Sequence, residues 1–485
     1  MSVPTAQLPL EDLRNRVAGR VITPDDEAYD EARGVLYKLD DLHPAAVVRV
    51  ANAQDVAAVV DIARESGLEL AVRSGGHSGA GHSTTGGGLV IDLREMKKVK
   101  VDPASRTAWA EAGATAADVA NAADAHSLAV GFGDTGSVGI GGITTGGGIG
   151  YLTRKHGLTI DSVIAADVVT ADGKLRRADA TTEPDLFWAI RGGGGNVGVV
   201  TRFQYRLHEL GDAYGGMLFL PATADTIAGF IAAADAAPEE LGTIANVMNC
   251  PPMPFIPEEL HGSLIIMGMI FWSGPPEQGP DIVAPFRALA TPLADFVRPM
   301  RYPEMFPPEE PQPEGAPHFI PSSRVLFMKN VDREVAQSIV DTIATAPSKM
   351  GVAQIRVLGG EMARVPADAT AFVHRSAPIM TALAGLTFDP AIRDANERWV
   401  DGFLASLDQG VPGAYVNFLN DEGPERVHDA YPRETWSRLA QIKRRYDPTN
   451  LFHRNQNVPP PRPDPWPGSG GSDHRAPPVA LPEPR

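Results

Sequence analysis

One cysteine, Cys250, stands in 485 residues. A single thiol closes no intramolecular disulfide and rules out any multi-cysteine zinc or iron–sulfur centre. It sits in the apolar string NCPPMPFIP and reads as a small core residue rather than a nucleophile. No stretch approaches the ~18 uninterrupted apolar residues of a membrane-spanning helix. The beginning, MSVPTAQLPLEDLRNRVAG, carries acidic residues early and has no basic segment leading into an apolar run. A secretory signal is therefore not expected, and the expected location is the cytoplasm. Positive charge is also short: 43 Lys and Arg against 60 Asp and Glu give a net charge of −17. Such a field repels phosphate backbones and anionic lipid, so neither nucleic acid nor membrane is an expected partner. No metal site is expected, and the oligomeric state stays open.

Glycine is what the chain has in quantity, 49 residues of it. The length is too great for one ordinary core and implies two domains or one large domain with an insertion. From about residue 45 to 210 short strands and helices alternate. AAVVRV, LELAVR, GLVIDL, KVKV, TAWAEAG and VGVVTRFQYRL read as strands. AQDVAAVVDIARESG, TAADVANAADAHS and EPDLFWAIR read as helices, the first ended by Gly67. AADVVTADGKLRRA is a strand–turn–strand pattern around Asp172 and Gly173. Beyond Leu210, GGMLFL, GSLIIMGMIFW and RVLFMKN look like sheet strands, interleaved with the helical ADTIAGFIAAADAAP and DREVAQSIVDTIATA. Two proline-rich stretches, CPPMPFIP and PEMFPPEEPQPEGAPHFIP, suit long loops. Small α/β signals return at GAYVNFLN and end in the helix PRETWSRLAQIKRRYDP. A tail rich in Pro, Gly and Ser follows and is expected to be disordered.

Three loops share one chemistry: RSGGHSGAGHSTTGGG (73–88), GDTGSVGIGGITTGGGIG (133–150) and RGGGGNVGVVT (191–201). Chains without side chains lie directly against a ligand, and successive N–H groups aimed at one point form an anion nest. Any one such loop is equally well a tight turn. Three of them within one α/β region, each at a strand edge, point to a large dinucleotide. The string GGGNVG (193–198) matches the nicotinamide fingerprint G-x-G-x-x-G, but it follows a helical pattern and opens a strand. That order is the reverse of what the fingerprint requires, so the nicotinamide reading is rejected.

RSGGHS, GSVGIGGITTGGGIGYLTRKHGLTID, DLFWAIRGGGGNVGVVT and YDPTNLFHRNQN together resemble the FAD-linked oxidases of the vanillyl-alcohol-oxidase/p-cresol-methylhydroxylase (PCMH) superfamily. More closely they resemble its berberine-bridge-enzyme-like branch, with the oligosaccharide oxidases and the related group around 6-hydroxy-D-nicotine oxidase. The resemblance runs from about Pro44 to Pro460. It implies an α+β fold: a PCMH-type FAD-binding domain of two α/β subdomains, and a substrate domain with an antiparallel sheet flanked by helices. The implied division is 1–207 for the FAD domain, 208–410 for the substrate domain, 411–460 for a return to the FAD domain and 461–485 for the tail.

The same resemblance assigns residues. His77 takes the place of the histidine bonded to the flavin 8α-methyl group, a role that suits a neutral imidazole nucleophile. Relatives often add a second bond from a cysteine. Thr135 stands at that place here, so one link, through His77, is expected. His82 reads as a loop residue near the flavin. Arg73, Ser74, Gly75, Gly76 and Ser78 are expected around the diphosphate, and Ser137, Gly141, Gly142, Thr145 and Gly147 on a second wall. Gly195, Asn196 and Val200 are expected at the adenine or ribose, and Asn455 and Asn457 at the isoalloxazine edge. Where relatives show YxNY, this chain has Tyr415, Asn417 and then Phe418, so a hydroxyl that in relatives serves as base or substrate contact is missing. The histidine that often follows the Gly141–Gly142 pair is Ile143 here. Candidates for proton transfer or substrate contact are Tyr415, with Arg375 to lower its pKa, Asn417, Glu361 and His374.

The resemblance implies an FAD-dependent oxidoreductase. Hydride passes from an alcohol or amine carbon of a sugar, an alkaloid-like amine or a secondary metabolite to the flavin, and O2 or another acceptor reoxidises it. The alternative is an FAD-binding protein that has lost turnover, for which Phe418 and Ile143 speak.

Overall fold

The structure is a computed structural model that describes residues 8–37, 40–306 and 318–461. The tail from residue 462 and the middle of the second proline-rich stretch, 307–317, lie outside the described residues.

Two sheets carry the glycine loops. In the first, Ala46–Arg49, Leu89–Asp92 and Leu70–Arg73 run parallel in that spatial order, with Arg20–Ile22 antiparallel at the outer edge. Strands of a covered parallel sheet read as apolar runs, as AVV and LVI do before the charged residues Arg49 and Asp92 that end these strands. The second sheet is antiparallel in the order Val99–Asp102, Thr107–Glu111, Val199–Arg206, Val163–Val169, Leu175–Asp179. The helix Ala53–Ser66 packs between the two sheets. Asn52 caps its start by accepting from the Asp55 N–H at 3.0 Å, and Gly67, at φ +70°, ends it.

The third sheet is larger and antiparallel throughout. Its order is Ala213–Pro221, Leu264–Trp272, Leu241–Asn249, Met350–Val357, Ile379–Thr387, Ile320–Met328, with two short strands at the free edge of Ala213–Pro221. Helices Ala224–Ala236, Arg333–Ala344 and Arg393–Leu407 cover one face and share its core. The other face turns toward the glycine loops. The strands 241–249 and 379–387 and the helix 393–407 carry no clear periodicity in sequence. IMTALAGLT, rich in Ala and Leu, is a strand only because its neighbours make it one.

The C-terminal return differs from its sequence signals. Among the described residues no strand follows Thr387; there is a single 3-10 turn, Val416–Phe418, and two helices, Pro424–Ala430 and Arg433–Tyr446. Near the end of the last helix, buried Lys443 donates to the Phe452 carbonyl at 2.7 Å and to Asn457 Oδ1 at 2.9 Å. Those bonds fold the chain end back onto the first two sheets. No helix among the described residues is long and apolar enough to cross a membrane.

Candidate active site

A cavity of about 520 Å³ lies between the three glycine loops, the 415–420 turn and the uncovered face of the large sheet. The first two loops interlock. A Cβ on Gly75 would stand 2.4 Å from the Gly139 nitrogen, and one on Gly139 would stand 2.2 Å from the Gly75 nitrogen. Only glycine allows this approach. Ser74 Oγ donates to the Ala112 carbonyl at 2.6 Å and accepts from Gly141 N–H at 3.3 Å, which fixes the pair against the second sheet. The string read as a loop at 133–150 contains a short helix, Ile140–Gly146, whose Gly142 has open space where a Cβ would go. The third loop joins through Thr145: its carbonyl accepts from Gly192 and Gly194 N–H, both at 2.9 Å.

Of the expected cofactor residues, Ser74, Gly75, Gly76, His77, Ser78, Gly141, Gly142, Thr145, Gly195, Val200 and Asn455 line this cavity. Ser137 stands one step behind, its Oγ 3.0 Å from His77 Nε2. Gly147, at φ +141°, packs behind the wall against Tyr415 and Phe372. His82 also lines the cavity; burial, with Arg454 adding to it, pushes its pKa down to about 4 and keeps the ring neutral.

Five assignments are corrected. Arg73 turns away from the cavity into a buried ion pair with Asp92 at 2.8 Å, and also donates to the Ala32 and Gly34 carbonyls. It braces the loop and does not line the cavity. Asn196 stitches the third loop to the chain end, donating to the Gly193 and Gln456 carbonyls and accepting from Val458 N–H. Asn457 is held by Lys443 in the same seam. Glu361 pairs with Arg364 at 2.8 Å on a short helix outside the cavity. His374 lies with its Nε2 3.2 Å from the Ala430 carbonyl and its ring against Phe327.

Tyr415 and Asn417 do line the cavity, but their polar atoms are already engaged. The Tyr415 hydroxyl accepts from Gly148 N–H and from Asn417 Nδ2, each at 2.9 Å, and Asn417 Nδ2 also donates to the Ile143 carbonyl. Burial pushes the Tyr415 phenol above its ordinary pKa. Arg375 does not counter this, because its guanidinium is spent on Asp161 at 2.6 and 2.9 Å. The Tyr415 hydroxyl thus holds the glycine loop at Gly148.

The sheet supplies residues that the motifs did not flag. Gln354 and Asp134 line the cavity, and Gln354 Nε2 donates to Asp134 Oδ2 at 3.2 Å. Buried Arg356 pairs with the same carboxylate oxygen at 2.5 Å and lies over the Phe418 ring at 5.2 Å. Arg324, Asn420, Arg454 and Gln456 complete the polar lining. Gln354 and Arg356 alternate with apolar residues in VAQIRV, the period-two signal of a strand with one polar face.

These residues fit a flavin dinucleotide. The walls are glycine backbone with room for a ligand at Gly142, and Asp134 is the only carboxylate among the described lining residues. Arg324 and Arg454 stand in the same lining, a charge balance that favours a bound diphosphate. No group of three or more His, Cys, Asp or Glu among the described residues is placed to hold a metal ion.

Comparison with known proteins agrees with this geometry. Residues 44–179 match the FAD binding domain family and residues 414–459 the berberine and berberine-like family. The chain is 30% identical to the FAD-linked oxidoreductase YgaK of Bacillus subtilis, over 93% of this chain and 98% of that one. It is 29% identical to (R)-6-hydroxynicotine oxidase of Paenarthrobacter nicotinovorans, over 92% of this chain and 97% of that one. The crystal structure of 6-hydroxy-D-nicotine oxidase from Arthrobacter nicotinovorans superposes with a TM-score of 0.81 at 26% identity, covering 91% of this chain and 98% of that one. An FAD cradle with a berberine-like C-terminal segment closing it, matched end to end by such relatives, places this chain among the FAD-linked oxidoreductases of the berberine-bridge-enzyme-like family.

Proposed function

We propose that the chain oxidises an alcohol or amine carbon of a small organic substrate, with FAD tethered once, through His77, and reoxidised by O2 or another acceptor. The observation that carries this reading is the cavity itself, which joins the glycine cradle to the one face of the large sheet that its helices leave open. The relative (R)-6-hydroxynicotine oxidase, by name an oxidase of a small organic molecule, supports the substrate size. When bound, FAD supplies a two-electron acceptor for hydride. The rest falls to the chain. The interlocked loops around Gly75 and Gly139 hold the diphosphate on backbone N–H groups. His77 stands in the cavity wall beside Ser137, whose hydroxyl, 3.0 Å from Nε2, is able to fix the tautomer of the ring. Thr135, lining the cavity where relatives carry cysteine, offers no second link. Asp134, oriented by Gln354 and Arg356, is the acceptor that the cavity presents to a substrate O–H or N–H.

Acid precipitation tests the tether. Wild-type pellets should stay yellow and their intact mass should exceed the chain mass by one FAD, whereas His77→Ala should release its flavin to the supernatant. A colourless wild-type pellet refutes the covalent assignment. Anaerobic mixing with a panel of alcohols and amines tests turnover: at least one should bleach the flavin, and bleaching by none favours a protein that only binds FAD.

A further inference from the structure

The cavity wall around Asp134 has its hydrogen-bond polarity fixed from inside the large sheet. A backbone carbonyl only accepts, so the Met267 carbonyl, 3.2 Å from Asn246 Nδ2, sets which end of the Asn246 amide is the donor. Asn246 is buried, and its Oδ1 accepts from Gln354 Nε2 at 2.8 Å. The same Gln354 Nε2 donates to Asp134 Oδ2 at 3.2 Å. A carboxylate also only accepts, so both ends of this relay agree and the Gln354 amide cannot be reversed. Both of its N–H bonds are committed, and among the described residues its Oε1 takes no hydrogen bond.

Asp134 and Thr135 carry the same polarity. Arg356 holds Asp134 Oδ2 and does not itself line the cavity. Asp134 Oδ1 accepts from the Thr135 hydroxyl at 3.2 Å, which commits the Thr135 proton and leaves its Oγ1 an acceptor. Gln354, Asp134 and Thr135 all line the cavity and offer it Oε1, Oδ1 and Oγ1, acceptors in each case. A hydroxyl on a ligand needs a donor for its lone pairs as well as an acceptor for its proton, whereas an alkylammonium has three N–H donors and no lone pair. A hydroxyl set against acceptors alone keeps unpaired lone pairs, and an ammonium there makes a charge-assisted bond to the carboxylate. The net charge of −17 adds a field that draws cations. Next to these groups Ala382, Ala384 and Leu386 line the cavity from one face of their strand, a small and apolar surface.

We infer, resting on the proposed oxidation, that the substrate is a primary amine, bound as its ammonium by Gln354, Asp134 and Thr135 with its alkyl or aryl group along Ala382, Ala384 and Leu386. The nitrogen of R–CH2–NH3+ passes one proton to Asp134, which returns it to water. A C–H bond of the resulting R–CH2–NH2 breaks with hydride to the bound FAD, the two-electron acceptor, and the C=N bond of R–CH=NH2+ forms. Water then converts R–CH=NH2+ to R–CHO and NH4+. Gln354 and Thr135 are the residues that separate amine from alcohol.

Isothermal titration of the holoenzyme, its flavin reduced beforehand with dithionite so that no turnover occurs, tests this with three ligands of one carbon frame: 2-phenylethylamine, its N,N-dimethyl derivative and 2-phenylethanol. The primary amine should bind about tenfold tighter than the alcohol, and dimethylation, which removes two of the three donors, should cost about tenfold. Amine binding should weaken as the pH rises through the amine's own pKa. Gln354→Met and Thr135→Val should each shrink the amine-to-alcohol ratio about fivefold and leave the alcohol within about twofold of its wild-type Kd. Thr135→Val, close in shape and remote from the Asn246 relay, carries the test should Gln354→Met fail to fold. Alcohol binding as tightly as the amine, a dimethylamine as tight as the primary one, or an undiminished ratio in the folded variants overturns the inference. Anaerobic mixing with the oxidised holoenzyme keeps the two readings apart. An amine preference without bleaching refutes the oxidation and supports the ammonium site, and bleaching by alcohols without an amine preference does the reverse.

Discussion

Tyr415→Phe separates a positioning tyrosine from a catalytic one. The hydroxyl accepts from the buried Gly148 N–H at 2.9 Å and from Asn417 Nδ2 at 2.9 Å. Removing it leaves Asn417 Nδ2 its bond to the Ile143 carbonyl, but strips the Gly148 N–H of its side-chain acceptor. An unsatisfied buried donor costs about 1–3 kcal/mol, while a phenylalanine ring keeps the packing against Phe372 and Phe418. The variant should therefore lose about 2 kcal/mol in chemical denaturation, with faster amide exchange at Gly148. Its rate of flavin reduction should fall by less than tenfold and keep the wild-type pH profile. A general base would behave otherwise: its loss typically costs 10²- to 10⁴-fold in rate and removes the limb of the pH profile that it controls. A drop of a hundredfold or more at unchanged stability would refute the positioning role.

Arg73→Ala should cost about 1–3 kcal/mol: the fully buried Asp92 carboxylate keeps Arg94 at 2.9 Å but loses one charged donor, and the Ala32 and Gly34 carbonyls lose theirs. FAD affinity in the folded fraction should show no added salt dependence; a steep one at unchanged stability would return Arg73 to the diphosphate. Gly146→Ala drives a Cβ to 2.0 Å from Asn417 Oδ1, a side chain anchored on both sides, and should lower FAD content measured by absorbance ratio. His156 and His208 stack at 3.9 Å, and burial pushes them down to about 3 and about 4. Below about pH 6.5 the unfolded chain takes up protons that the folded pair refuses, so stability is full above that pH and falls toward pH 4. Allowing for the partial exposure of both rings, the loss should be on the order of 1–2 kcal/mol in denaturation midpoints, and His156→Gln should flatten it. An unchanged acid limb in that variant would remove the pair from the explanation.

What was legible in sequence is what depends on neighbours along the chain. The glycine loops are such a case, because close approach and nest geometry are properties of the backbone at Gly75, Gly139 and Gly142 themselves. Strands such as Ala46–Arg49, Leu70–Arg73, Leu89–Asp92 and Val163–Val169 are another, since each carries its own apolar run. Arg73 shows the limit of the same logic. It stands in the motif RSGGH, yet it is the last residue of the strand Leu70–Arg73, and its side chain turns into the sheet toward Asp92 on the paired strand. No spacing in the motif shows that partner, which lies nineteen positions away. Asn196 is a like case, its partners Gln456 and Val458 lying more than two hundred residues away, whereas Asn457 is held by Lys443 only fourteen residues back, across a turn that no motif signals.

The sheet wall was the hardest part to read, and its physics explains why. A strand at the centre of a sheet needs only to fill a half-buried surface, so ALAGLT and VAQIRV carry little that is distinctive. Their meaning comes from register: Gln354 matters because Ala382 lies on one side of it and Asn246 on the other. Asp134 matters because the sheet delivers Arg356 and Gln354 to it from more than two hundred residues away. The cofactor cradle is thus written locally and the substrate wall is written across strands. That division is why the family was readable from motifs while the cavity wall opposite the cradle was not.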